Sequence, residues 1–332
     1  MAGASYRPGV IRTRLYRNGE LAKENFDPSE ISDHLMDGTC VVWLDLDRPN
    51  AEDLALIATE FGLNPLAVED AVSERQRPKL DHYDDHVFLT LYDVALDQGQ
   101  PPRAREFAVF AATHYLITVR KSEGSPIDPI IARWDDNAAL AKYGVGFLLW
   151  GVLDVVIDSY FDAVQVLDDR IEALEDVLFG PGDSGTAVQR ESYVLRKNLV
   201  QFRRIIVPTR EVLNALMRRE NDLIAPELMP YYQDVYDHVL RASDSTDALR
   251  DLVSTILETH LTIQGNRMNE IMKKVTSWAA IGAVPAVVTG YYGMNVTTLP
   301  RSGSDAGGLA AILLMVAAIA GLYAMFKRLD WL

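Results

Sequence analysis

The residues able to do chemistry are few in this 332-residue chain and do not gather into a reaction centre. His82, Asp85 and His86 are side chains of the kind zinc takes, yet they stand where a strand-like run begins and no Cys accompanies them. They read as solvated polar residues. Cys40 is the single cysteine, set beside Val41, Val42 and Trp43; it reads as a small buried residue and excludes an intrachain disulfide. No nucleophile stands with a base and no glycine-rich phosphate loop emerges, which argues against an enzyme and against a nucleotide-driven pump.

Two segments stand out for what they lack. Residues 275–300 and 306–326 carry no charged side chain over 26 and 21 positions, each matching the roughly 20 that cross the hydrocarbon as a helix. Lys273 and Lys274 precede the first, Lys327 and Arg328 follow the second, and the loop between holds Arg301 and Asp305. The positive-inside rule places both ends in the cytosol and this short loop outside. Arg7, Arg12, Arg14 and Arg17 are not followed by the apolar core of a signal peptide, so the N-terminal part is expected to remain in the cytosol.

The formal net charge is −15; because residues 273–332 hold five bases against two acids, residues 1–272 carry −18. That sign argues against nucleic acid as a partner and suits a solvated domain that draws in cations.

The elements that must position these features follow from pattern. Residues 40–46 read as a buried strand; Asn50 with Asp53 caps a helix that runs through Phe61 and ends at Gly62, and a second helix follows Pro65. Residues 86–95 and 106–120 are rich in Val, Phe, Tyr, Ile and Thr, with His114 as a turn between paired strands. After Pro129 helical periodicity takes over, the Gly- and Pro-rich stretch at 179–185 turns a helical hairpin, and its return arm covers 187 to about 220. From Tyr231 up to the membrane only Gly265 weakens the helical pattern, and one helix running on to about Tyr292 would be roughly 90 Å long. The expected class is α+β: an α/β cytosolic domain at 1–130, a cytosolic helical hairpin region at 131–230, and a long helix at 231–292 whose first span begins near 275. An outer loop at 293–306, a second span at 307–326 and a basic cytosolic tail at 327–332 complete it.

Two spans could simply anchor a soluble domain. Gly282, Ala283, Ala286, Thr289, Gly290 and Gly293 lie at spacings that allow close helix approach, whereas an idle anchor is usually richer in Leu. The first span ends at Tyr291-Tyr292-Gly293-Met294-Asn295 and passes into a short loop, a second span and a basic tail. A Gly-Met-Asn triplet is specific in that position. Pro65-Leu66-Ala67-Val68-Glu69-Asp70, Arg77-Pro78-Lys79 and Tyr232-Gln233-Asp234-Val235-Tyr236-Asp237-His238 add to it. On these motifs, and over nearly its whole length, the chain resembles the CorA family of magnesium channels.

The resemblance implies a homo-oligomer, a pentamer by family likeness, in the lipid bilayer of the inner membrane, with a funnel of long helices and first spans lining a central path for divalent cations. Mg2+ would be both cargo and regulator, with Co2+ and Ni2+ as further cargo. Asn295, repeated by symmetry, would present a ring of amide oxygens to an ion that sheds water reluctantly. Gly293 would let the chain turn, and Gly290 would keep the path wide, in the stripe that also holds Met294 and Ala283. Met272 and Val275, with Asn269 a turn before, match the family's cytosolic-side constriction, with ordinary helix packing as the competing reading. Asp70 and Asp234, with Glu69 beside them, resemble the family's regulatory magnesium site between subunits; the competing reading is solvated helix acids. The first span holds no carboxylate to trap a divalent ion, and a potential of about 100 mV drives a double charge inward by about 4.6 kcal/mol.

One departure stands out. Where magnesium channels of this family usually carry an acid just after a Met-Pro pair, Leu299-Pro300 is followed here by Arg301. A ZntB-like zinc transporter of the same architecture is therefore a rival reading, with Met294 favouring magnesium. A membrane-anchored, non-conducting sensor is the rival of another class.

Overall fold

A computed structural model of the chain describes residues 11–35, 37–73, 76–95, 102–180, 185–218, 223–294 and 305–332. In chain order the elements are β1 (Ile11–Arg17), β2 (Glu20–Glu24), α1 (Ile31–Leu35), β3 (Cys40–Asp47), α2 (Ala51–Phe61), α3 (Pro65–Val72), β4 (Lys79–His82) and β5 (Val87–Ala95). β6 (Arg103–Ala111), β7 (Tyr115–Arg120), α4 (Asp128–Asp136), α5 (Val145–Phe179), α6 (Gly185–Leu216), α7 (Met229–Tyr292) and α8 (Asp305–Arg328) follow. The chain divides into two compact units, Met1–Ser254 and Thr255–Leu332, with the boundary inside α7.

The first unit is built on one mixed sheet of order β2-β1-β3-β7-β6-β5-β4, in which only the central pair β3–β7 is parallel. β3 is covered on both faces there, with Cys40, Val42, Leu44 and Leu46 on one and Trp43 with the ion-paired Asp45 on the other. Leu44, Leu54, Ala67, Phe88, Phe110 and Ile117 belong to a core that joins the sheet to α2 and α3. α2 starts with the capping box formed by Asn50 and Asp53 and stops at Gly62, whose φ of 65° suits glycine. α3 is opened by Asn64, whose side chain accepts from Leu66 N–H at 2.9 Å.

Elsewhere in the unit α5 begins with an unbroken buried run and packs on β5, while Trp134 of α4 donates to the Leu148 carbonyl at 3.0 Å and meets Trp43 edge-on at 4.8 Å. α5 and α6 pair through Tyr160, which shares a 3.2 Å hydrogen bond with Thr209, and through Arg170–Glu191 at 2.7 Å. In the second unit, the last part of α7 and α8 carry the two stretches long and apolar enough to cross a membrane.

The strands at 11–24 and 79–82 escape the pattern reading. In β1 the alternation is between arginines and apolar residues, and Arg14 is buried because Glu24 and Asp135 meet it at 2.6 and 2.7 Å. The parallel pair is held by a buried ionic knot: Asp45 accepts from Arg120 Nη2 at 2.8 Å and from Thr118 at 2.7 Å, and Trp43 donates to Thr118 at 3.2 Å. Removing Asp45 leaves the buried Arg120 with only the looser Asp47 contact at 3.6 Å, so Asp45→Ala is expected to destabilise the full-length protein by about 3 kcal/mol. Unfolding in detergent followed by tryptophan fluorescence measures this, and a loss below about 1 kcal/mol contradicts it.

Candidate functional site

α7 places most of the candidate pore residues. Between residues 261 and 294 only Ser277 and Ile281 are buried, with Val284, Pro285, Val288 and Tyr292 half-buried along the same side. At about 100° per residue the opposite side carries Asn269, Met272, Thr276, Ala279, Ala283, Ala286 and Gly290, all exposed. Their steps alternate between three and four, so Asn269, Thr276, Ala283 and Gly290 repeat every seventh residue, as do Met272, Ala279 and Ala286. Residues on such a seam face a neighbouring helix or a shared axis.

Sequence reasoning singled out Asn269, Met272, Ala283 and Gly290 on this stripe but passed over Thr276 and Ala279, which the seven-residue spacing exposes. Val275, 57% exposed, lies toward the stripe's edge. At Gly290 an added Cβ would meet nothing within 4 Å, so a single chain gives no packing reason for glycine there. Gly293 differs: its N–H donates to the Thr289 carbonyl at 2.8 Å, and a Cβ would lie 2.9 Å from that same oxygen, tighter than a side chain allows. The helix ends there, and Met294 follows exposed. Asn295 lies outside the described residues.

Asp70 and Asp234 both belong to the first unit, each with partners of its own. Asp70, on α3, meets Lys79 Nζ at 2.6 Å, and Lys79 meets Asp81 at the same distance. Burial alone would depress the Lys79 ammonium, but hydrogen bonds and charge from Asp70 and Asp81 hold it above its ordinary value. Glu69 next to it is exposed. Asp234, on α7, is about two-thirds exposed and lies 3.7 Å from His238, whose other ring nitrogen is 3.9 Å from Asp158 of α5. Arg133 ties Asp158 to the buried Asp154. Among the described residues no three His, Cys, Asp or Glu side chains are gathered to hold a metal. A cation shared by Asp70 and Asp234 would therefore draw further oxygens from water or from another chain. Lys79 and His238 were not assigned these contacts at the sequence level; both stand in the quoted motifs, nine and four residues from the acids they touch.

His86 is not a solvated residue, as its polar surroundings had implied. It is buried, stacked on Tyr83 at 5.1 Å and tilted against Phe110 at 5.9 Å, with neither ring nitrogen hydrogen-bonded. Burial pushes its pKa below the ordinary imidazole value, against the smaller opposing charge of Asp85. An imidazole depressed by folding contributes stability that is present above about pH 6.5 and is lost as the pH falls from there through the folded value. His86→Phe is expected to abolish that acid-side loss and to stabilise by about 1 kcal/mol at neutral pH. Unfolding temperatures on both sides of about pH 6 decide it: an unchanged acid slope in the variant refutes the assignment.

A family model described as CorA-like Mg2+ transporter protein matches residues 39–328. The cobalt/magnesium transport protein CorA of Thermotoga maritima is 31% identical over 301 residues, covering 89% of this chain and 85% of that one. The zinc transport protein ZntB of Cronobacter sakazakii is 25% identical over 310 residues, covering 90% of each. Among solved structures, the CorA magnesium transporter of Methanocaldococcus jannaschii superposes with a TM-score of 0.76 at 24% identity, over 97% of this chain and 99% of that one, a likeness of fold.

Proposed function

The chain belongs to the CorA-like Mg2+ transporter family, and from that premise we propose that it forms a homo-oligomeric channel, pentameric by family likeness, for passive Mg2+ uptake across an inner membrane. The family is one of divalent-cation transporters, not of enzymes. The observation that carries the channel reading is the seven-residue seam of small and polar side chains on α7, exposed in one chain and backed by a covered side. Copies brought together along that seam surround an axis with Asn269 and Thr276 toward the cytosol, alanines and Gly290 through the bilayer, and Asn295 at the outer mouth. Small side chains keep the conduit wide enough for a hydrated ion, and neutral oxygens hydrogen-bond its water without trapping it. Met272 and Val275 form the apolar constriction that gates by dewetting.

Asp70, Asp234 and Glu69 form the proposed regulatory site between adjacent copies. Mg2+ that bridges them offsets their repulsion and stabilises the closed state, because it binds that state better. Asp81 retains Lys79 if Asp70 is removed, so Asp70→Ala leaves no stranded ammonium.

In proteoliposomes, Asn295→Ala is expected to reduce Mg2+ flux by about tenfold, or about 1.4 kcal/mol in the barrier, with the oligomer intact. Unchanged flux, or none in either protein, supports a non-conducting anchor instead. Asp70→Ala with Asp234→Ala is expected to abolish the suppression of uptake by internal Mg2+; suppression as strong as in the parent removes the sensor. The zinc relative and Arg301 make a ZntB-like zinc transporter the second reading, which the same vesicles test by supplying Mg2+, Co2+, Ni2+ and Zn2+ in turn.

A further inference from the structure

A cavity of about 1010 Å³ in the first unit opens between β5–β6 and the middle of α6. Its electrostatics run against the rest of the protein. In a chain of net charge −15, the described lining carries Arg77, Arg203, Arg204 and Lys121 against one carboxylate, Glu106. That carboxylate is already neutralised within the wall, since Lys121 Nζ lies 2.5 Å from it and the Tyr92 hydroxyl donates to it at 2.9 Å. Lys121 also donates to the carbonyls of Asp70 and Ser73 at 2.9 and 2.6 Å, so its three protons are spent.

The arginines are what remains. Arg203 reaches Asp247 at 2.9 Å, but Arg77 and Arg204 are exposed and meet no carboxylate among the described residues. Unpaired guanidinium forks facing one cavity suit an anion with several oxygens, phosphate above all. The α6 wall adds two further features. Val200, Ile205 and Val207 face the cavity with Val94 opposite, and Pro208 supplies no N–H to the Arg204 carbonyl, leaving an acceptor for a hydroxyl or amino group. A volume near 1000 Å³ is at the upper end for small-molecule sites.

We propose that this cleft binds a nucleoside triphosphate, with the phosphates on Arg77, Arg203 and Arg204 and the base against the valine and isoleucine wall. No glycine-rich loop is involved: the cations come from Arg77, just ahead of β4, and from α6, which the fold brings together. The site is independent of the pore reading, because occupancy is measured without flux.

The test is equilibrium binding of ATP to the full-length protein in metal-free detergent solution, with pyrophosphate and adenosine as separate probes. ATP is expected to saturate one site per chain, at least tenfold more tightly than pyrophosphate or adenosine. Arg77→Glu and Arg204→Glu are each expected to weaken it by tenfold or more, while Arg190→Glu, on α6 outside the cleft, leaves it unchanged. Circular dichroism checks that each variant folds, and ATP protection of the parent's Arg204 side chain from phenylglyoxal gives a readout that needs no variant. The proposal is overturned by absence of saturable ATP binding, by binding indifferent to both charge reversals, or by pyrophosphate binding as tightly as ATP.

Discussion

Hydrocarbon offers a peptide group no hydrogen bond, and that constraint governs the second unit. A segment passing through it must close its own backbone bonds, which a helix does, and must shed its charges, which residues 275–300 and 306–326 have done. It does not have to be greasy on every side. α7 is covered on one side by its own chain and shows alanine, glycine, threonine and asparagine on the other. In lipid, where apolar contact alone gives helices little reason to associate, small side chains let backbones come near and gain dispersion instead. In the channel proposed above, one stripe serves association and passage alike.

The first unit answers a different constraint, the surplus of negative charge. Most of its buried acids are matched to a named base, Asp45 to Arg120, Asp93 to Arg105, Asp154 to Arg133 and Glu106 to Lys121, while buried Asp53 accepts from the Asn50 N–H in the α2 capping box. What is left on the outside is anionic, and such a surface concentrates divalent cations from the solution around it. Against that background the arginine-lined cleft is the exception, where Arg77 and the arginines of α6, far apart in the chain, turn the local sign around.

Legibility followed the range of the interactions. α2 could be bounded from sequence because its cap, its capping box and its stop at Gly62 are contacts within four residues. α7 could be read because no strong breaker interrupts it before the apolar span, where Pro285 is carried within the helix. β1 could not, since its arginines look like surface until Asp135 and Glu24 are brought to Arg14 by the fold. His86 was misplaced for the same reason: Asp84 and Asp85 precede it, and the fold sets Tyr83 and, from the paired strand, Phe110 against its ring. At the candidate site the chemically distinctive positions stood out, while Thr276 and Ala279 are ordinary residues that gain meaning from spacing alone. Lys79 appeared as part of a motif, but that its ammonium lies against Asp70 is a fact of the β4–α3 packing.

In the regulatory site proposed above, that ammonium would alter what Asp70 can sense. A carboxylate open to water responds to every cation in the cytosol, potassium included. One held by a tethered amine faces a rival whose local concentration is fixed by covalent structure, so an incoming ion must bring more than a single charge to gain a place. The threshold of the proposed detector would then be set by the reach of one lysine, and shortening or lengthening that arm would reset it without touching the proposed conduit.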